Sequence, residues 1–84
     1  MTELYPAIVM VKVFFTPSAV TQQELVDITQ SRFPELSLQS IQTRYSQNQK
    51  FQVLSLEIYT PSAALLNAFY QTIKAHEQVK MVLI

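Results

Sequence analysis

Glycine is absent from all 84 residues. Every phosphate-cradling loop that depends on glycine goes with it, the P-loop and the dinucleotide-binding turn alike. Any backbone position that needs a positive φ must use asparagine or another tolerated residue. Cysteine is absent too. That removes a disulfide framework, a thiolate zinc site and a cysteine nucleophile, and it fits a reducing compartment. Charged residues make up 14% of the chain, against roughly 25% in ordinary domains. The six basic and six acidic side chains cancel to zero. Nucleic-acid binders carry a basic surplus that draws phosphates, so none is expected as a partner. Long apolar runs are also missing. The early one, Ala7 to Val11, ends at Lys12 and is far too short to cross a bilayer. Met1 to Tyr5 has no basic stretch leading into an apolar one, so no signal peptide is expected, and the chain reads as cytoplasmic.

Apolar residues account for 49% of the sequence. A chain this short is read as one domain spanning residues 1–84. It buries a modest share of its surface. With so little charge, part of what stays exposed must be neutral or apolar, which favours a partner or self-association.

Residues Ala7 to Phe15 are β-branched and aromatic over a strand's length. Val9, Val11 and Val13 share one face, assigned to the core. Ile8, Met10, Lys12 and Phe14 share the other, assigned to the outside. Thr16-Pro17-Ser18 breaks the strand. Thr21-Gln22-Gln23-Glu24 then matches a capping box, with Val20 and Leu25 placed for a hydrophobic staple. The helix it opens buries Leu25, Ile28 and Phe33 and stops at Pro34. Leu38 to Ser46 alternates weakly and Phe51 to Tyr59 clearly, with Leu54, Leu56 and Ile58 on one face. The polar break between them reads as a hairpin turn with Asn48 at its left-handed position. Thr60-Pro61 predicts a second helix capped by Thr60, with Leu66, Phe69, Tyr70 and Ile73 at i, i+3, i+4 and i+7. Val79 to Ile84 closes the chain as a strand.

The order strand, helix, strand, strand, helix, strand predicts an α+β fold, the ferredoxin-like βαββαβ two-layer sandwich. Neither helix can bury its stripe alone, and the sheet cannot bury its apolar face alone. Right-handed crossovers then place both helices on one face of a four-stranded antiparallel sheet of order 4-1-3-2.

The uncovered face is the candidate interaction surface. It is expected to carry Ile8, Met10, Lys12 and Phe14 from the first strand, Val53, Ser55, Glu57 and Tyr59 from the third, and Lys80 and Val82 from the fourth. Half of these positions are apolar. The simplest reading of Lys12 and Glu57 is a cross-strand ion pair; as a functional pair they would grip a zwitterion or a carboxylate. His76 is the only histidine, with no second ligand for a metal and no nucleophile to serve; it suits the end of the second helix. Lys50-Phe51-Gln52-Val53 lacks the glycine and the second aromatic of an RNA-recognition strand. No cofactor, metal site or catalytic constellation is expected, and the chain is read as no enzyme.

Tyr5-Pro6, Val11-Lys12-Val13, Arg44-Tyr45-Ser46 with Lys50-Phe51, and above all Val79-Lys80-Met81-Val82-Leu83 resemble the YbeD-like family of small bacterial proteins. The resemblance spans nearly the whole chain. It implies a ferredoxin-like fold close in shape to ACT regulatory domains, and a family whose members carry a lipoate-binding or lipoate-regulation label. Lys12 and Lys80 match family positions. The family commonly has glycine after its first strand and in its hairpin, where this chain has Phe14-Phe15 and Gln47 to Gln49. The resulting expectation is a small regulatory or adaptor domain that forms a dimer or docks to a protein partner. The alternative is a sensor of a small carboxylate, an amino acid or a lipoyl-type acid.

Overall fold

The computed structural model describes residues 6–46 and 50–84, apart from the Leu38 side chain. The Asn48 turn position lies outside the described residues. The elements run β1 (Ala7–Phe15), α1 (Ala19–Arg32), a 3-10 turn (Leu38–Ser40), β2 (Ile41–Tyr45), β3 (Gln52–Thr60), α2 (Ala63–Lys74) and β4 (Val79–Leu83). The sheet is antiparallel throughout, in the order β2-β3-β1-β4. Read from the other edge this is the expected 4-1-3-2, and the fold is α+β and ferredoxin-like.

Alternation decides which side of the sheet is core. Val11, Val13 and Phe15 of β1 are fully buried, as are Leu54, Leu56 and Ile58 of β3. The register sets Val11 opposite Leu56 and Val13 opposite Leu54, so the two central strands present one continuous apolar surface. Leu66, Phe69 and Ile73 of α2 and Leu25 of α1 close over it. The Phe33 and Phe69 rings meet edge to face, 5.3 Å between centroids and 80° between planes, a geometry that sets the positive edge of one ring against the negative face of the other.

Both helices begin differently from the expectation. Ser18, not Thr21, caps α1: its hydroxyl accepts from the Thr21 amide at 3.3 Å. Ser62, not Thr60, caps α2, accepting from the Leu65 amide at 3.2 Å. The cap sits just ahead of the first helical turn, where its oxygen satisfies an amide with no partner inside the helix. Helical geometry starts earlier in α1 than the capping-box reading assumed, so Thr21 lies in the first turn and is buried. Thr60 is instead the buried last residue of β3, its hydroxyl donating to the Ser62 carbonyl at 2.9 Å. Val20, expected to staple, is 69% exposed.

The buried stripe of α1 is Thr21, Leu25 and Thr29, two of its three members polar. Thr29 resolves its own burial by donating to the Leu25 carbonyl at 2.8 Å. Helix α1 ends at Arg32, with Phe33 in a non-helical conformation ahead of Pro34. The β2–β3 connection is tied where it is described: the Ser46 amide donates to the Phe51 carbonyl at 2.8 Å, and the Phe51 amide to the Ser46 hydroxyl at 3.1 Å. Strand β2 begins at Ile41 rather than Leu38, because the chain first makes the 3-10 turn.

Candidate functional site: the open face of the sheet

Strands that alternate must send every second side chain away from the helices. On β1 these are Ile8, Met10, Lys12 and Phe14, and on β3 Tyr59, Glu57, Ser55 and Val53, paired in that order. Strand β2 adds Gln42 beside Ser55 and Arg44 beside Val53. The face is therefore a grid. One end holds Ile8 beside Tyr59. The other holds Arg44, Val53 and Phe14 in a row continued by Met81 of β4.

Strand β4 corrects one expected member. Its register shifts between Phe14 and Phe15: Met81 lies opposite Phe14, and Val79 opposite Phe15. Lys80 is the extra residue of this bulge, and it is exposed. Inserting one residue flips the alternation beyond it. Val82 thus lies opposite Val13 and packs against the core, and Met81 and Leu83 take the open face in its place.

The apolar members are well exposed: Ile8 67%, Tyr59 59%, Met10 48%, Met81 46% and Leu83 46%. Phe14 is half-buried, and Val53 is buried between Phe14 and Arg44. The face is thus apolar toward both ends, with the polar row of Gln42, Ser55 and Lys12 between them.

Lys12 and Glu57 do not form the expected ion pair. Register places Lys12 opposite Ser55 and Glu57 opposite Met10, and among the described residues the only basic–acidic contact within 4.0 Å joins His76 and Glu24, ionic when His76 is protonated. Lys12 instead belongs to a shallow cleft of about 240 Å³ with Met10, Gln42, Thr43, Arg44 and Ser55. Its lining holds two cations, the Ser55 hydroxyl and the Gln42 amide, and no carboxylate. Sequence reading missed Gln42 and Arg44 here, because β2 alternates weakly and all but Ile41 of its side chains stay exposed, so neither face stands out. The signal available was positional: a strand paired to β3 must put Gln42 and Arg44 on one side.

A larger cavity of about 550 Å³ lies at the other end of the sheet, between β3 and the segment that leaves α1. Ile8, Glu57 and Tyr59 reach it from the open face, Phe33 and Leu36 from the linker, and Leu65 from α2.

His76 lies just beyond α2, as expected. Its Nδ1 accepts from the Gln78 amide at 3.1 Å, which in the neutral ring leaves the hydrogen on Nε2, 2.9 Å from Glu24 Oε1. The contact ties α2 to α1. Among the described residues no group of three His, Asp or Glu side chains gathers as a metal site, and no helix is long and apolar enough to cross a membrane.

A comparison with curated proteins finds no match. Among solved structures the chain is similar to the solution structure of protein HP0495 from H. pylori, with a TM-score of 0.76 and 18% identity over 99% of this chain and 87% of that one. At that identity the likeness carries the fold alone. A family model described as a protein of unknown function, DUF493, matches residues 3–83. The chain therefore belongs to the DUF493 family, the same YbeD-like family that its closing strand resembles.

Proposed function

We propose that the chain is a non-catalytic regulatory or adaptor module that works by association through the open face of its sheet. The observation that carries this reading is the exposed apolar side chains of the open face, Ile8, Met10 and Tyr59 toward one end and Met81 and Leu83 with the half-buried Phe14 toward the other. Burying one such side chain is worth about 1.5–3 kcal/mol, so a few together offset much of the cost of holding two molecules in place. A second copy of the chain is the occupant we favour. Lys12 and Glu57 stand on adjacent strands without pairing to each other, and a two-fold arrangement that set Lys12 of one copy against Glu57 of the other would give both a partner. The lack of cysteine and the short apolar runs support a cytoplasmic setting.

Sedimentation velocity across a range of concentrations tests the reading. The expected result is a concentration-dependent dimer that Met10→Asp and Phe14→Asp each abolish. A chain that sediments as a monomer throughout, and that keeps any protein it binds after both substitutions, rules out the face.

A second reading rests on the cleft of Lys12 and Arg44. Two cations with Ser55 and Gln42, and no acid among them, suit a small carboxylate. Amino acids and lipoic acid belong in the screen, the latter because of the family's lipoate label. A ligand at 100 times its Kd raises stability by about 2.7 kcal/mol, readable as a thermal shift that the Lys12→Ala, Arg44→Ala double variant loses. No shift from any carboxylate in the screen removes this reading and leaves the first standing.

A further inference from the structure

The two edges of β3 are not equally used. Along its inner edge β3 pairs with β1 from Gln52 to Thr60. Along its outer edge it pairs with β2 only as far as Leu56, opposite Ile41. The chain enters β2 from the 3-10 turn, which itself packs against β3, so Glu57 to Thr60 have no strand on their outer side. Every second residue of an antiparallel strand turns both its N–H and its C=O to the same side. Two of these four residues therefore offer a donor and an acceptor outward, and among the described residues no backbone group of the linker bonds to them.

The 550 Å³ cavity lies along this same stretch. Its floor is apolar, from Phe33, Leu36 and Leu65, and its rim carries Glu35 and Glu57. Neither carboxylate takes part in an ion pair among the described residues. Arg32, the one cation in the lining, is turned to α2, where its Nη2 donates to Thr72 Oγ1 at 3.1 Å.

We infer that this groove binds an extended peptide segment of a protein partner, which adds to the sheet as a short strand along the outer edge of Glu57–Thr60. The unpaired backbone supplies the hydrogen bonds of strand addition. Alternation then dictates the peptide's side chains. Those on the open side lie beside Glu57 and are basic. Those turned under the edge are apolar and fill the cavity against Phe33, Leu36 and Leu65. The site is an edge rather than a face, and it shares Ile8, Glu57 and Tyr59 with the open face.

The test uses the full-length chain and a synthetic peptide of three Lys-Val repeats with blocked ends. It is followed by backbone amide NMR and hydrogen exchange, with fluorescence anisotropy for affinity. The expected result is that the peptide shifts the amides of Glu57 to Thr60 and slows exchange of those facing outward. A version with N-methylated lysine amides does not bind, because the residues opposite Glu57 and Tyr59, the lysines, make the ladder bonds. Glu57→Lys, an exposed position, keeps the circular dichroism spectrum of the folded chain and weakens the peptide by about tenfold, the scale of one lost charge-assisted contact. Phe14→Asp, at the far end of the open face opposite Val53, leaves the peptide's affinity unchanged, which separates this site from the open-face dimer. Three outcomes overturn the inference: the outward amides of Glu57 to Thr60 are already protected in the free chain, the peptide perturbs the outer edges of β2 or β4 instead, or the N-methylated version binds equally well.

Discussion

Phe69 shows how much a single side chain carries here. It is fully buried, it packs edge to face on Phe33, and it joins α2 to the end of α1. Phe69→Ala should cost about 3–5 kcal/mol, out of the roughly 5–15 kcal/mol that holds a small domain folded. Urea unfolding should show it as a large fall in midpoint. The His76–Glu24 contact is a smaller matter. Glu24 is more than half exposed, so a double-mutant cycle on His76→Ala and Glu24→Ala should return a coupling of about 0.2–1 kcal/mol. Lys12 and Glu57 mark the limit of reading single residues. Strands β1 and β3 are joined through a helix crossover, with no tight turn between them to set register. Their pairing cannot be counted off along the chain, and the true neighbours are Ser55 and Met10.

The two helix starts carry the same four residues, Thr-Pro-Ser-Ala, at 16–19 and again at 60–63. In both, proline ends the strand and serine caps the helix. This repeat was the signal that serine rather than threonine does the capping, and that each half of the fold is built the same way. Ser18→Ala and Ser62→Ala should each cost about 1 kcal/mol, and replacement by glycine only a few tenths; thermal melts of the four variants check it. Helix α2 was legible because Leu66, Phe69 and Ile73 are plainly apolar. Helix α1 was less so because Thr21 and Thr29 share its buried stripe, and threonine hides its burial behind a hydroxyl that bonds locally. The bulge in β4 left no mark that alternation could detect. One extra residue at Lys80 exchanged Val82 for Met81 and Leu83 on the open face.

At the scale of the molecule, the sheet has one covered side and one bare side, and neighbouring residues on a strand meet opposite fates. Met10 is half exposed on the bare side, and Val11, next to it, is fully buried. Met10→Asp should change folding stability by no more than about 0.5 kcal/mol, as ordinary surface substitutions do. Val11→Asp puts a carboxylate among Leu56, Phe69 and their neighbours with no partner. It should leave the chain unfolded or force the carboxyl to stay neutral. Circular dichroism of the two variants side by side measures the difference. Met10→Asp is thus a clean probe of association, since its effect on sedimentation is not entangled with loss of the fold.

The element order, the valine side of β1, the leucine side of β3 and the α2 stripe were all present in the sequence, because burial repeats at the period of the local backbone and that period can be counted. So was the strand order, which follows from crossover handedness once the elements are known. Tertiary structure alone decided the register of β1 on β3, the bulge in β4, the meeting of Lys12 with Arg44 and the unpaired stretch of β3. Each of these depends on where one segment stops relative to another distant in the chain, and backbone hydrogen bonding between strands is set by that alignment, not by the residues of either strand alone.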